Sequence, residues 1–477
     1  MSTGAPAFSV VPFDRRPIPA AVFEILACCA VIAAAVLTFL AGGLTVNGAV
    51  VLTVLLLSSL IVLSWIHLDQ GRHPVFLFLC TLTLFQGGRL IAYCLGNVPD
   101  PFLVVFMVDS PFEISRSEAG IVMLCIALSA VCIYGPCRWN YRPITPPTDV
   151  NVRQYLPYLY LVYFASMPFL LYKNYLYYSY IQAHGLYTVF FNDYARLAAS
   201  VPSVVRVVAL LAIPVLVAIF VFETRKRLLY LVVVLYLCSS VVLLLTGTRM
   251  GTFTLVLTLW YVTRIKSRRK PRVWGLLVLA AVLVVAANLI GVARFGEDVE
   301  GRSAIDPVAF TATQGVSLAV TEVAVSRRSL FQPYVLSYLL HELEVQLVSS
   351  DVSRYSPGRQ FGFDVSVFLN PYLFDAGFGT SGAYVAEAYV VGGVFGVMVI
   401  SLLIGGGLNL MHAYSRNAMT LVLVAWVLPE VILMPRGFLM GWGSALIRSL
   451  LLLLPLAIGW GLYRFVVPAV KATPARG

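Results

Sequence analysis

The stretch VARFGEDVEGRSAIDPVAF (292–310) begins the most polar interval of the chain, which extends to Gly382. This interval separates a long apolar run that ends near Gly291 from another that begins near Ala383. Three further segments also place arginine, glycine or an acid where an apolar run ends: TGTRMG (246–251), GFGTSGAYVAEAYVVGG (377–393) and MPRGFLMGWG (434–443). We therefore expect one large loop, 292–382, and a polar site formed where these segments meet the ends of membrane spans.

The composition indicates that this chain folds in a lipid membrane. Of its 477 residues, 60% are hydrophobic and 12% are charged, and the mean hydropathy is +0.88. Such a chain cannot bury its apolar surface as a water-soluble domain. The net charge of +11 comes from cations in short loops between apolar runs. That pattern indicates membrane orientation and argues against a nucleic-acid partner.

The apolar runs predict an all-α, polytopic membrane protein that forms a single transmembrane domain over residues 1–477. About 20 apolar residues are needed to cross the hydrocarbon core. On that rule we expect about twelve spans: 20–42, 47–66, 74–95, 116–135, 154–174, 203–222, 227–246, 250–265, 273–291, 383–406, 417–434 and 443–464. The third contains Gln86, Gly87, Gly88 and Arg89 and is predicted to be broken or re-entrant. We interpret the first as a retained span rather than a signal peptide.

The distribution of cations predicts that both termini are cytoplasmic. With that orientation Lys226, Lys266, Lys270 and Lys471 all lie on the inner side, and only Lys173 lies outside. The other outer or embedded cations are arginines, which runs against the tendency of basic residues to stay inside. Arginine offers a planar fork of donors that suits phosphate. The alternative is that these arginines extend to the headgroups or pair with acids.

The large loop contains a candidate proton acceptor. Residues 308–347 have the apolar spacing of helices, and Pro333 is expected to separate two of them. His341 on the second helix lies among glutamates and can act as a general base. The alternative is a solvated helix face. A zinc site is disfavoured because no second histidine follows four residues later, and the cysteines have no metal-ligand spacing.

The order of the motifs resembles the O-antigen and enterobacterial-common-antigen polymerases of the Wzy type. The resemblance is carried by TGTRMGTFTLVLTLW (246–260), TQGVS (313–317), GFGTSGAYVAEAYVVGGVFG (377–396) and MPRGFLMGWGSALIRSLLL (434–452). It implies an inner-membrane glycosyltransferase, active at the periplasmic face, that joins oligosaccharides linked to undecaprenyl pyrophosphate. A chain-length regulator and a flippase are implied as partners. We expect no cofactor and no metal, since no acidic cluster with ligand spacing is visible.

This reaction needs cations for the leaving pyrophosphate and a base for the attacking sugar hydroxyl. The predicted pyrophosphate ligands are, in order, Arg249, Arg436, Arg294 and Arg302. The predicted catalytic bases are His341 and Glu387, followed by Asp306 and Glu430. Glu387 lies inside an apolar span, where an acid costs about 2.5–3.5 kcal/mol at mid-membrane. Its alternative role is to pair with a nearby arginine.

Three other functions compete with polymerisation. An O-antigen ligase would transfer the finished glycan to the lipid A core. A flippase or secondary transporter would more often show repeated halves with polar residues at mid-membrane. A metal-dependent lipid-phosphate-sugar glycosyltransferase usually has an acid pair in its first outer loop, whereas this chain has GLTV (43–46) there.

Overall fold

The computed structural model describes residues 18–40, 42–102, 112, 114–144, 150–184, 200–244, 250–267, 306–345, 357–375, 379–472 and a few positions between 275 and 286. The described residues form helices, and no β-strand occurs among them. The fold class is therefore all-α, as expected from the apolar runs.

The helices are numbered here in chain order. They are α1 (Ile18–Leu40), α2 (Val46–His67), α3 (Pro74–Gln86), α4 (Gly88–Cys94), α5 (Arg116–Trp139), α6 (Leu156–His184), α7 (Ser203–Leu210), α8 (Ala212–Phe222), α9 (Lys226–Leu244), α10 (Met250–Lys266), α11 (Pro307–Gln314), α12 (Ser317–Ser326), α13 (Arg328–Phe331), α14 (Val335–Val345), α15 (Phe361–Leu369), α16 (Pro371–Asp375), α17 (Tyr384–Tyr414), α18 (Ala418–Leu433) and α19 (Gly441–Ala472).

Nine helices of the described chain are long and apolar enough to cross a membrane, and α3 with α4 makes a tenth if that bent pair is one span. The predicted count of twelve is not confirmed. α1 contributes only the shorter apolar helix Val22–Ala35, and α10 has 17 residues. The predicted span 273–291 lies almost entirely outside the described residues.

One span-length apolar segment lies within the predicted loop. Pro307–Ser326, which comprises α11 and α12, passes the test of length and hydropathy, and 67% of its most apolar window is buried inside the protein. Its apolar side chains therefore face other helices. Hydropathy alone does not distinguish a helix that faces lipid from one that faces protein. Farther along, Pro333 lies in a 3₁₀ turn between α13 and α14, so the expected break in the loop helices is confirmed.

Two apolar cores are joined through α3 and α18. α17 packs along α5, and together with α1, α2 and α12 they enclose the first core. α6, α8 and α10 pack with α18 around the second. α3 inserts Phe78 into the first core and Leu77 into the second. α3 is thus buried between the two halves, and its broken end lies against α11 and α12.

Loop segments predicted to be cytoplasmic contact one another. Arg72 donates to the backbone oxygen of Ser267 at 2.7 Å, and Lys266 donates to that of Glu223 at 2.7 Å. Burial by itself raises the pKa of the Glu223 carboxyl, but hydrogen bonds from Arg225 outweigh burial and lower the pKa below its ordinary value. These contacts tie three predicted inner loops together at one end of the bundle.

A pair of buried histidines connects the same end to α17. The rings of His73 and His412 lie 4.3 Å apart between centroids. A nitrogen of His412 also lies 3.0 Å from the backbone oxygen of Arg142. His73 accepts a hydrogen bond from the backbone of Val75 and so caps the start of α3. Described residues of the predicted inner segments 67–73, 136–153, 223–226, 266–272 and 407–416 therefore make contacts at one side of the protein.

Two broken helices cross at their breaks. α3 and α4 meet at Gly87 with a bend of 64°, and α11 and α12 are separated at Gly315 and Val316. A Cβ atom on Gly88 would lie 2.5 Å from the backbone oxygen of Thr311, and one on Gly315 would lie 2.4 Å from the backbone nitrogen of Arg89. Only glycine allows two backbones to approach so closely.

We expect Gly315→Ala to lower the free energy of unfolding by about 1–3 kcal/mol, because the added methyl group overpacks a backbone crossing. Gly315 has φ −69°, which alanine adopts freely, so crowding alone is tested. Thermal denaturation of the detergent-solubilised protein, followed by size-exclusion chromatography, measures the effect. Gly461→Ala is the matched control, since nothing lies within 4 Å of its Cβ position. Equal melting temperatures for the two variants would contradict the crossing.

Candidate functional site

Arg436 is held at the crossing by a residue of the TQGVS segment. The 3₁₀ turn Met434–Arg436 ends α18 and directs the Arg436 guanidinium toward Gln314, the last residue of α11. Arg436 Nη1 donates to Gln314 Oε1 at 2.5 Å, and the guanidinium carbon lies 5.5 Å from the centre of the Phe85 ring. A buried neutral acceptor and an aromatic face thus fix the direction of a permanent cation.

Gln86 joins three elements immediately beside Arg436. Its amide nitrogen donates to the backbone oxygen of Pro435 at 2.8 Å and to that of Ser317 at 3.3 Å. Its amide oxygen accepts from the Thr321 hydroxyl at 2.9 Å. A break in a helix leaves backbone oxygens without their usual partners, and an apolar interior provides no water to bind them. Gln86 satisfies two of them and so stabilises the break that presents Arg436.

Glu387 anchors the other side of the same turn. It is 4% exposed in the first turn of α17, and its Oε2 accepts the backbone N–H of Leu439 at 2.9 Å. Gly382 lies between them, because a Cβ there would be 2.8 Å from Glu387 Oε1 and 3.1 Å from the backbone oxygen of Gly437. The segments 377–393 and 434–443 therefore meet, as their shared composition of glycine and charge predicted.

A second buried carboxylate, Glu322, lies on α12 near the crossing. Its side chain is fully buried, and neither carboxylate oxygen has a hydrogen-bond partner among the described residues. Arg89 and Asp100 are the charged groups that act on it. Arg89 itself donates to the backbone oxygen of Pro101 at 3.0 Å. The positive charge of Arg89 partly offsets the cost of burying this acidic side chain.

The other predicted bases have different surroundings. Asp306 caps the start of α11 by accepting the backbone N–H groups of Val308 and Ala309, which is a structural role. Glu430 lies on α18 within electrostatic range of Arg448 on α19. His341 is half-buried on α14, and this helix packs against α17 and α19. Catalytic roles for these residues stay predictions.

Three of the four predicted pyrophosphate ligands, Arg249, Arg294 and Arg302, lie outside the described residues. A shared cavity for all four arginines therefore stays a prediction. Arg436 is the one whose surroundings are defined, and it lies beside Gln314 of the predicted loop. In the described ranges, no three His, Cys, Asp or Glu side chains are placed to hold a metal ion. Metal independence also stays a prediction.

The site thus combines an oriented guanidinium, two buried carboxylates and several backbone groups at a break in the helices. Comparison with known families adds the decisive observation. The family described as O-antigen polysaccharide polymerase Wzy matches residues 25–464, nearly the whole chain. The chain belongs to this family.

Membership of the Wzy family places the apolar helices in a bacterial inner membrane that they cross several times. It also indicates a role in O-antigen polymerisation, acting on lipid-linked oligosaccharide. No curated protein and no solved structure matches the sequence significantly. Residue roles in this Wzy-family chain therefore rest on its own geometry.

Sequence reasoning did not assign Gln86, Arg89 or Glu322 to the site. A signal was present for the first two, since QGGR (86–89) interrupts an otherwise apolar run, and the break predicted there is confirmed. Gln86 and Ser317 are 231 residues apart, however, and helical periodicity contains no information about which breaks meet. Glu322 lies in a largely apolar helical segment, SLAVTEVAVS (317–326), and that pattern does not distinguish a solvated acid from a buried one.

We expect Gln86→Leu to lower the free energy of unfolding by about 2–3 kcal/mol, because it leaves the backbone oxygens of Ser317 and Pro435 without their donor. Thr321→Val removes only one hydrogen bond and should cost about 1 kcal/mol. Thermal melting of both variants and of the double variant measures the coupling through a double-mutant cycle. Additive losses would show that Gln86 and Thr321 do not interact.

Proposed function

We propose that this Wzy-family protein transfers a growing glycan from undecaprenyl pyrophosphate to the next lipid-linked repeat unit at the periplasmic face of the inner membrane. The acceptor hydroxyl attacks the anomeric carbon of the donor glycan. The bond from that carbon to the phosphate oxygen breaks, undecaprenyl pyrophosphate leaves, and a base takes the hydroxyl proton. The reaction needs no nucleotide sugar and, in this proposal, no metal ion.

The observation that carries the proposal is the fixed position of Arg436 at the crossing of the two broken helices. Charge develops on the leaving pyrophosphate as the bond breaks, and a preorganised guanidinium stabilises it without reorganising. Gln314 and Phe85 supply that preorganisation. Arg249, Arg294 and Arg302 remain proposed further ligands of the pyrophosphate.

We assign the base to Glu387 ahead of His341. The Glu387 carboxylate is buried, accepts the N–H of Leu439 and lies beside Gly382, which approaches Gly437, so a proton acceptor lies against the segment that carries Arg436. His341 lies on the helix that packs against both α17 and α19, which keeps it as the second candidate. The predicted inner loops 223–226 and 266–272, which carry Lys226 and Lys266, contact each other at one end of the bundle. This contact supports placing that end in the cytoplasm and the crossing at the periplasmic face.

Removing the Arg436 fork should abolish polymerisation. In a host that lacks its own polymerase, Arg436→Gln is expected to reduce polymer about 100-fold or more and to leave single repeats. Arg436→Lys keeps the charge but not the fork and should also be strongly impaired. Gel analysis of surface polysaccharide, at matched protein levels, measures the ladder. The control is Arg416→Gln, at an exposed arginine in the turn that follows α17.

Long ladders from Arg436→Gln would reject the role of Arg436. Analysis of what accumulates tests the reaction itself, since a polymerase defect leaves single capped repeats. Complete but unattached polymer would instead indicate a ligase, and the absence of any periplasmic repeat would indicate a flippase.

Glu387→Gln separates a base from a positioning residue. The amide oxygen of glutamine can still accept the Leu439 N–H, but it cannot take a proton at neutral pH. If Glu387 is the base, the rate of polymerisation should fall by about 10²–10⁴ while the melting temperature changes little. If Glu387→Gln retains its activity, the assignment is wrong, and His341→Ala then tests the second candidate.

A further inference from the structure

An apolar groove lies between α1, α2 and α5, away from Arg436. Its volume is about 750 Å³, and its walls include Ile32 of α1, Leu52 of α2 and Ile121 of α5. It extends along α5 from Arg116 to Ala127, which corresponds to roughly 16 Å of helix at about 1.5 Å per residue. That length is about half the thickness of a membrane core, so the groove spans about one leaflet.

A cation lies at one end of this groove. Arg116 is exposed at the start of α5, donates to the backbone oxygen of Leu44 at 2.7 Å and stacks over the Phe39 ring at 5.1 Å. The ion pairs found among the described residues do not include Arg116. Glu118 of the same helix is instead engaged in capping Ser115. The groove therefore has an apolar length and a positively charged end, which complements a phosphate attached to a long chain.

A polar pocket connects this cation to the crossing. The pocket has a volume of about 380 Å³ and shares Arg116 with the groove. Asn47, Tyr93 and Asp100 line it, and they offer an amide, a phenol and a carboxylate beside aromatic surface. These groups suit sugar hydroxyls. The far wall, Asp100 and Pro101, contacts Arg89, the cation that faces Glu322 at the crossing.

We propose that the groove binds the isoprenoid chain of the lipid-linked acceptor, with its phosphate on Arg116 and its sugars in the adjoining pocket. The inference rests on the proposed function, which requires two isoprenoid lipids at once. The pyrophosphate of the donor must lie at the reacting bond. The phosphate of the acceptor lies one oligosaccharide away from the attacking hydroxyl, so it needs a separate cation and a separate groove. The groove with Arg116, the polar pocket and the crossing lie next to one another in that order.

Photolabelling of the full-length protein in nanodiscs tests the groove. The probe is a polyprenyl phosphate with a diazirine on its chain, and peptide mapping locates the label. We expect label on α1, α2 and α5, reduced about tenfold by Arg116→Gln, which removes a charge-assisted hydrogen bond. Ala49→Phe, which fills the groove, should reduce it similarly. The matched controls are Arg206→Gln, at a half-buried position, and Val51→Phe, at an exposed one, both outside the groove.

Competition identifies the occupant. Unlabelled undecaprenyl phosphate should displace the probe, and phosphatidylglycerol at the same mole fraction should not. Equal displacement by phosphatidylglycerol would show an ordinary bilayer lipid and overturn the proposal, as would labelling that is unchanged in Arg116→Gln and Ala49→Phe.

Activity assays with separate donor and acceptor add a readout that a structural role would not change. Arg116→Gln should raise the acceptor concentration needed for half-maximal rate about tenfold and leave the donor requirement unchanged. An equal effect on both requirements would contradict an acceptor site.

The variant Arg436→Gln keeps this test separate from the proposed function. It should lose polymerisation yet label the groove normally. Normal polymerisation by Arg436→Gln together with normal labelling would reject only the assignment of Arg436. Absence of groove labelling in the wild-type protein would reject only the acceptor site.

Discussion

The close approach of two backbones at Gly88 and Gly315 is the constraint on which the rest of the site depends. Each glycine lies at a break in an apolar helix, and a side chain on either would meet the backbone of the other helix. In an apolar interior, such breaks are tolerated only when the freed backbone groups find partners within the protein. Gln86 supplies them for Ser317 and Pro435, and this places the end of α18 against the same crossing.

The crossing also explains how charged groups are held inside an apolar bundle. Arg436 is directed by Gln314, Glu387 is held by a backbone N–H, and Glu322 is stabilised by Arg89. Arg436 and Glu387 are thus each oriented by a neutral group of another segment, and the Arg89 charge offsets part of the cost of burying Glu322. A site built in this way is preorganised, because the cost of fixing its charges is met during folding rather than during the reaction.

Much of the fold followed from apolar run lengths, because crossing a membrane imposes a minimum length on every helix. The break at QGGR (86–89) and the turn at Pro333 also followed from local chemistry. The number of spans did not, because α10 is short, 273–291 lies almost entirely outside the described residues, and Pro307–Ser326 in the predicted loop has the hydropathy of a span.

Two of the four segments predicted to share a site do meet, but the contacts between individual residues were not predictable. The glycine and charge of 377–393 and 434–443 marked them as span ends that share a site, and Glu387 and Leu439 now connect them. The pairing of Arg436 with Gln314 depends on how α11 packs against α3 and α4, which no local pattern encodes. The inclusion of Glu322 likewise depends on the burial of α12 on all its faces, from Ser317 to Val325.

The most direct test of the central claim is an experimental structure of the protein in a lipid nanodisc with undecaprenyl pyrophosphate bound. The account predicts that the pyrophosphate lies within hydrogen-bonding distance of the Arg436 guanidinium, with Gly88 and Gly315 still in contact behind it. A pyrophosphate bound elsewhere, with Arg436 turned toward lipid and the two glycines apart, would contradict it.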